Sequence, residues 1–284
     1  MKTVKIAGVP EHFNLPWHLC IENGEFEEVG IDLQWIDVPE GTGKMCEMLK
    51  EGEIDIAVVL TEGCIKAIAN DNSSKIVQLF VESPLIWGIH VAAQSEFKTI
   101  DDLQNKKVAI SRHGSGSHLM SIVHAKTQQW NPNDLQFEIV NTLEGAVHAL
   151  ATGQADYFMW ERFMTQPIVD QGIFRKITDL PSPWPCFVIA VRNEFIEKNS
   201  AVIKQVLEIL NATTQEFKSI PSIDRTLAAK FNQKIENIHE WLQATSWSQK
   251  QVSKNQFESI QNELLALNLL ATPLQYEAVC ITNL

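Results

Sequence analysis

Leu49-Lys50-Glu51-Gly52-Glu53-Ile54-Asp55-Ile56-Ala57-Val58-Val59-Leu60-Thr61-Glu62 and Leu150-Ala151-Thr152-Gly153-Gln154-Ala155-Asp156-Tyr157-Phe158-Met159-Trp160-Glu161 share the phrase Leu-x-x-Gly-x-x-Asp, followed by an apolar run that ends at an acid. Both copies read the same way. A helix ends, glycine takes the left-handed position that closes it, and a buried strand follows. A carboxylate then emerges at the strand's C-terminal end, which is where open α/β sheets bind ligands. Two copies predict two lobes, aiming Glu62 and Glu161 at a shared cleft.

Working outward, strand and helix patterns alternate. Strands read at 4–9, 31–38, 54–60, 76–81 and 86–92, with helices at 15–22, 44–51 and 62–69. A second series follows, with strands at 107–110, 137–140, 157–159 and 174–177 and helices at 116–127, 143–151 and 161–169. Pro181-Ser182-Pro183-Trp184-Pro185 reads as a stiff extended segment before a last strand at 187–191. Apolar residues at three- and four-residue spacing make helices near 201–217, 224–231 and 252–269. Strands separated by helices mean mostly parallel sheets. The expected fold class is therefore α/β with two lobes, 1–91 plus 187–284 and 92–186, joined by a hinge of two crossing segments. The C-terminal helices cover the first lobe.

A chain of 284 residues fits about two domains. Its net charge of −12 argues against a nucleic-acid partner, which needs a basic stripe. No apolar run approaches the roughly 18 residues of a membrane span. Met1-Lys2-Thr3 leads straight into a strand with no signal-peptide pattern, so the protein is expected in the cytoplasm. A removed leader would place it in the periplasm or on a lipid anchor. The five cysteines show no Cys-x-x-Cys spacing, and the eight histidines no zinc pattern, so neither a metal nor a cofactor is expected. There is no Gly-x-Ser-x-Gly elbow to anchor a hydrolase triad. The expected partner is a small-molecule ligand, and the expected state a monomer.

Candidate ligand contacts lie in strand-to-helix loops. Ser111, His113, Gly114, Ser115, Gly116 and Ser117 follow a strand and open a helix, where backbone N–H groups can hold an anion; the alternative is a plain Gly-Ser cap. In the first lobe, Glu11, His12, Asn14 and Trp17 mix aromatic and polar groups as a pocket wall would, or Trp17 is core and His12 merely solvated. Gly41, Thr42 and Gly43 end the second strand, with Thr42 a plausible helix N-cap. Thr61-Glu62 and Trp160-Glu161 close the repeated strands. A tryptophan could stack on a flat ligand while a glutamate accepts its N–H groups, or each acid could simply favour a helix start.

Lys5–Val9, Leu49–Glu62 and Asp101-Asp102-Leu103-Gln104-Asn105-Lys106-Lys107-Val108-Ala109-Ile110-Ser111, leading into Gly114-Ser115-Gly116-Ser117-His118, resemble the type II periplasmic binding proteins. The similarity spans roughly residues 3–220. It points to the branch that binds nitrate, sulfonates, taurine and a thiamine-pyrimidine precursor, and within it to a leaderless subgroup of unknown ligand. Asn105 stands where that family has glycine. The resemblance implies a ligand bridging two lobes at Glu11–Asn14, Gly41–Gly43, Thr61-Glu62, Ser111–Ser117 and Trp160-Glu161, with an ABC transporter permease as partner. The fold also hosts enzymes of the thiamine-pyrimidine and menaquinone pathways. The Cys-Cys-Cys-Phe-Cys motif of the pyrimidine synthase is missing here.

The expected function is a binding protein that closes on a small polar organic ligand. The loop Ser115–Ser117 would hold an anionic or polar oxygen, Glu62 or Glu161 an amino or ring N–H, and Trp17 or Trp160 would stack. The alternative is an enzyme on the same fold that acts on a small metabolite.

Overall fold

The computed structural model describes residues 1–71 and 73–282. The chain begins with β1 (Lys2–Gly8), α1 (Leu15–Glu22), α2 (Glu25–Glu28), β2 (Ile31–Asp37), α3 (Thr42–Glu51), β3 (Ile56–Leu60), α4 (Thr61–Asn70) and β4 (Ser74–Ala92). It continues through β5 (Lys107–Ile110), α5 (Gly116–Thr127), β6 (Gln136–Ile139), α6 (Leu143–Ala151), β7 (Tyr157–Glu161), α7 (Arg162–Asp170) and β8 (Phe174–Arg192). Five helices end it: α8 (Asn193–Glu216), α9 (Ile223–Lys230), α10 (Ile235–Ala244), α11 (Lys254–Ala266) and α12 (Tyr276–Val279). Two compact units result, Met1–Ser83 with Trp184–Leu284, and Pro84–Pro183. The chain changes unit inside β4 and inside β8, rather than at 91/92 and 186/187.

In the first unit the strand order is β2-β1-β3-β8. β1 pairs in parallel with β2 and β3, and β8 runs antiparallel to β3 with Phe187 opposite Leu60. Its core is the apolar run the sequence displays, with Val58 and Val59 fully buried. The C-terminal helices belong to this unit, and the segment at 246–250 hydrogen-bonds along the first half of β4, for example Leu79 N–H to Lys250 O at 2.9 Å. In the second unit the order is β4-β7-β5-β6, with β5 parallel to β6 and β7 and β4 antiparallel to β7. Ala109, Ala146, Leu150, Phe158 and Phe174 form its core.

The repeated phrase has one structural meaning in both units. Gly52 (φ 75°) and Gly153 (φ 71°) close α3 and α6 in the left-handed region. The aspartate three residues on then clasps a neighbouring strand of its own unit, β1 or β5. Asp55 N–H donates to Lys5 O at 2.9 Å, and its carboxylate accepts Lys5 N–H at 3.0 Å. Asp156 does the same to Lys107, at 2.8 Å in each direction. Asp55 also pairs with Arg192 at 2.8 Å. Asn105 adopts φ 60°, a left-handed conformation open to Asn as well as Gly.

Three readings are corrected. The strands expected at 76–81 and 86–92 are one 19-residue strand. The segment 181–185 lies inside β8, where prolines at alternate positions remove donors from one side while Ser182, Trp184 and Cys186 are buried. Ser182 Oγ takes up the Leu85 N–H at 3.1 Å. The short α2 and the helix α10 went unread.

Candidate functional site

In the second unit, the loop after β5 is built around three buried serines. Ser115 is the N-cap of α5, its hydroxyl accepting His118 N–H at 3.3 Å. Ser117 Oγ accepts Ser111 N–H at 3.0 Å and lies 3.1 Å from Ser115 Oγ and 3.4 Å from Ser111 Oγ. Three hydroxyls therefore converge where the first-turn amides of a helix of three turns look outward with the positive end of its dipole. Gly114 supplies the turn at φ 81°, and its N–H donates to His118 Nδ1 at 3.0 Å. That bond makes Nδ1 an acceptor and leaves the ring proton on Nε2. Exposed His113 meets the edge of His118 at 5.1 Å between centroids, while Gly116 is half-buried. Hydrogen bonds thus bring the three serines of the sequence-predicted loop together, while His113 is exposed and packs on the rings of His118 and Phe137.

At the end of β7, Trp160 is half-buried and stacked on Phe158 at 5.3 Å and 22°. Glu161 caps α7 by accepting Met164 N–H at 2.6 Å and is 4% exposed. Its helix-start role is the one the geometry displays.

In the first unit, the predicted residues divide. Trp17 is fully buried, with Phe26 stacked at 6.3 Å and Phe80 and Trp35 at 6.2 and 6.3 Å, so it is core and not a ligand platform. His12 is also buried rather than solvated. Gln233 Nε2 lies 2.8 Å from its Nε2, and Phe231 and Trp241 pack on its ring. Burial pushes the His12 pKa down to about 3. Thr42 is the first residue of α3, not its cap; Gly41, at φ 83°, holds the cap position. Thr42 Oγ1 instead accepts Leu60 N–H at 2.9 Å, tying α3 to the end of β3. A Cβ on Gly63 would meet Thr42 Cγ2 at 2.6 Å, so glycine permits this approach. Gly43 is exposed beside it.

Glu11 and Asn14 follow the C-terminal end of β1, and Thr61 and Glu62 follow that of its neighbour β3. Asn14 Nδ2 donates to Val9 O at 2.8 Å, while its buried Oδ1 has no hydrogen-bond partner. Thr61 Oγ1 donates to Cys186 O at 3.2 Å. Glu62 is 3% exposed. Burial pushes its pKa up to about 7, against the opposing hydrogen bonds of its own amide and the Trp184 indole. Oε2 of this carboxyl has no partner. Half-buried Glu11 is likewise pushed up to about 7 by burial. Trp184 escaped the sequence reading. Its signal was a single large aromatic held between prolines in a segment already recognised as stiff.

Residues 87–180 match a family described as Ca3427-like PBP. The structure of the Candida albicans CA3427 gene product, which defines a family with the generic periplasmic binding protein fold, superposes with a TM-score of 0.90 at 22% identity, over 100% of this chain and 97% of that one. The fold is that of the type II periplasmic binding proteins. The alkanesulfonate-binding protein SsuA from Xanthomonas axonopodis pv. citri, bound to MOPS, gives a TM-score of 0.82 at 18% identity over 98% of each chain. A protein of Escherichia coli (strain K12) named for aliphatic sulfonate binding is 29% identical over 181 residues, 62% of this chain and 54% of that relative's length. Among the described residues, no helix is long and apolar enough to cross a membrane, and no three His, Cys, Asp or Glu side chains are grouped to hold a metal ion.

Proposed function

We propose that this periplasmic-binding-protein fold binds a small organic anion of the sulfonate class, with Ser111, Ser115 and Ser117 and the first-turn amides of α5 receiving the acid group. The observation that carries this reading is the convergence of three buried hydroxyls at a helix N-terminus, with Ser117 Oγ 3.1 Å from that of Ser115 and 3.4 Å from that of Ser111. Each hydroxyl can rotate its proton toward an incoming oxygen, and the amides add fixed donors. Relatives named for sulfonate binding lend the ligand class. The partner that such a protein would serve is an ABC-type permease.

Isothermal titration with alkanesulfonates of increasing length tests the reading. Binding in the wild type, weakened about tenfold or more by Ser117→Ala, supports it; one charge-assisted hydrogen bond is worth about 1.5–3 kcal/mol. Alkanesulfonates that fail to bind, or bind equally to Ser117→Ala, overturn it.

A further inference from the structure

We propose that the first unit carries a subsite for the positively charged, hydrogen-bond-donating end of an organic ligand, and that the Glu62 carboxylate receives it. The subsite deepens the binding reading above and rests on it only for the choice of probes.

Its place follows from the sheet. β1 and β3 are parallel neighbours, so the loop at 11–14 and the start of α4 leave the same edge. β8 enters that edge from beyond, since Phe187 lies opposite Leu60 and Trp184 precedes it. Contacts tie the three segments together: Phe13 packs on Phe187 at 5.2 Å, and Thr61 reaches Cys186 O. Two acceptors here have no partner, Glu62 Oε2 and Asn14 Oδ1, in side chains that are 3% and 0% exposed. Asn14 gives one of its two amide N–H groups to Val9 O, and its Oδ1 is left to accept.

An ionised carboxylate accepts and cannot donate. Once the carboxyl ionises, above about pH 7, leaving one of its oxygens buried and unmet is costly, and a ligand donor would offset that cost. Among the described residues no lysine or arginine forms an ion pair with Glu62. The charge is thus left for a ligand cation, whose attraction in a poorly solvated site exceeds that of a neutral donor. Burial raises the Glu62 pKa, and a bound ammonium or amidinium would act in the opposite sense. Trp184 holds the carboxyl in place from its other side.

The test uses pairs of small sulfonates and carboxylates that differ only by exchange of a terminal methyl for an ammonium, such as pentanoate and 4-aminobutanoate, over several chain lengths. The ammonium member should bind the wild type about tenfold more tightly. Glu62→Gln should bring the two members to within about twofold. Trp184→Phe, which keeps the carboxylate and loses the indole donor, should reduce the preference in part, and serves if Glu62→Gln fails to fold by circular dichroism. A wild type with no preference, or a preference that survives in Glu62→Gln, overturns the proposal. Ser117→Ala should leave the preference for the ammonium member unchanged, so failure of the anion reading and failure of this one are distinguishable. If neither member binds, butylammonium against butanol in a thermal-shift assay replaces the pairs. A Tm rise with the ammonium alone that Glu62→Gln removes supports the subsite, and no rise in the wild type overturns it.

Discussion

Ser115 does two things at one atom. It caps α5 through His118 N–H and stands in the serine cluster. Ser115→Ala should therefore cost about 1 kcal/mol of stability in chemical denaturation as well as anion affinity. Ser115→Asp restores the cap and adds a negative charge, so it should melt near the wild-type temperature and bind no anion. Buried titratable groups make a second prediction, in pH. Burial pushes His90 and His124 down to about 4 and His12 to about 3 from an ordinary 6.5. Each contributes stability that is present above about 6.5 and lost as pH falls toward those values, because the unfolded chain takes the proton first. Glu62, raised from 4.5 to about 7, works oppositely: its contribution is full below about 4.5 and lost as pH rises through 7. The two windows offset one another between about 4.5 and 6.5. Denaturation as a function of pH should show Glu62→Gln gaining on the wild type as pH rises from 4.5 to 8, by an amount on the order of 3 kcal/mol. His124→Leu, which deletes two buried nitrogens without partners, should gain on the wild type as pH falls below 6.

At the scale of elements, the Asp clasp explains why the repeated phrase is detectable. Asp156 joins the start of β7 to β5 by one backbone bond and by a second in which its short side chain accepts Lys107 N–H, so a single residue clasps both groups of Lys107. Asp156→Ala leaves Lys107 N–H without that acceptor and should cost about 1–3 kcal/mol, read by urea denaturation. Asp55→Ala should cost more, since it also removes one of the two carboxylates that pair with Arg192. The strand–helix alternation was legible because burial on both faces writes a continuous apolar run and a left-handed glycine ends each helix. The union of two expected strands into β4 was not, since nothing local distinguishes a strand that ends from one that changes unit. β8 hid behind its prolines, which read as breakers although their missing donors all fall on one side.

At the scale of the molecule, the candidate site was partly legible. The serine loop showed because cap chemistry and glycine positions are local signals. Trp17 and His12 read as pocket wall because an aromatic in sequence carries no mark of which neighbours will cover it. Here those neighbours come from Phe80 and from Gln233 and Trp241, far along the chain. The second unit is one uninterrupted segment with its own core, and Leu85 near its start hydrogen-bonds Ser182 near its end. The fragment 84–183 expressed alone should show α/β circular dichroism and a cooperative melt; a non-cooperative trace would mean its core needs the rest of the chain.

The interrupted build of the first unit gives synthesis an order. β3 is finished early, yet its antiparallel neighbour β8 is delivered only after the whole second unit has left the ribosome. Closing a loop of that length costs on the order of 4 kcal/mol in chain entropy. Once the inserted segment has folded with its ends side by side, most of that loop has ceased to exist for the pairing of Leu60 with Phe187. The insertion is then its host's folding template, and a lesion that unravels residues 84–183 should be felt first as a nascent chain whose β3 edge stays open to the wrong partner.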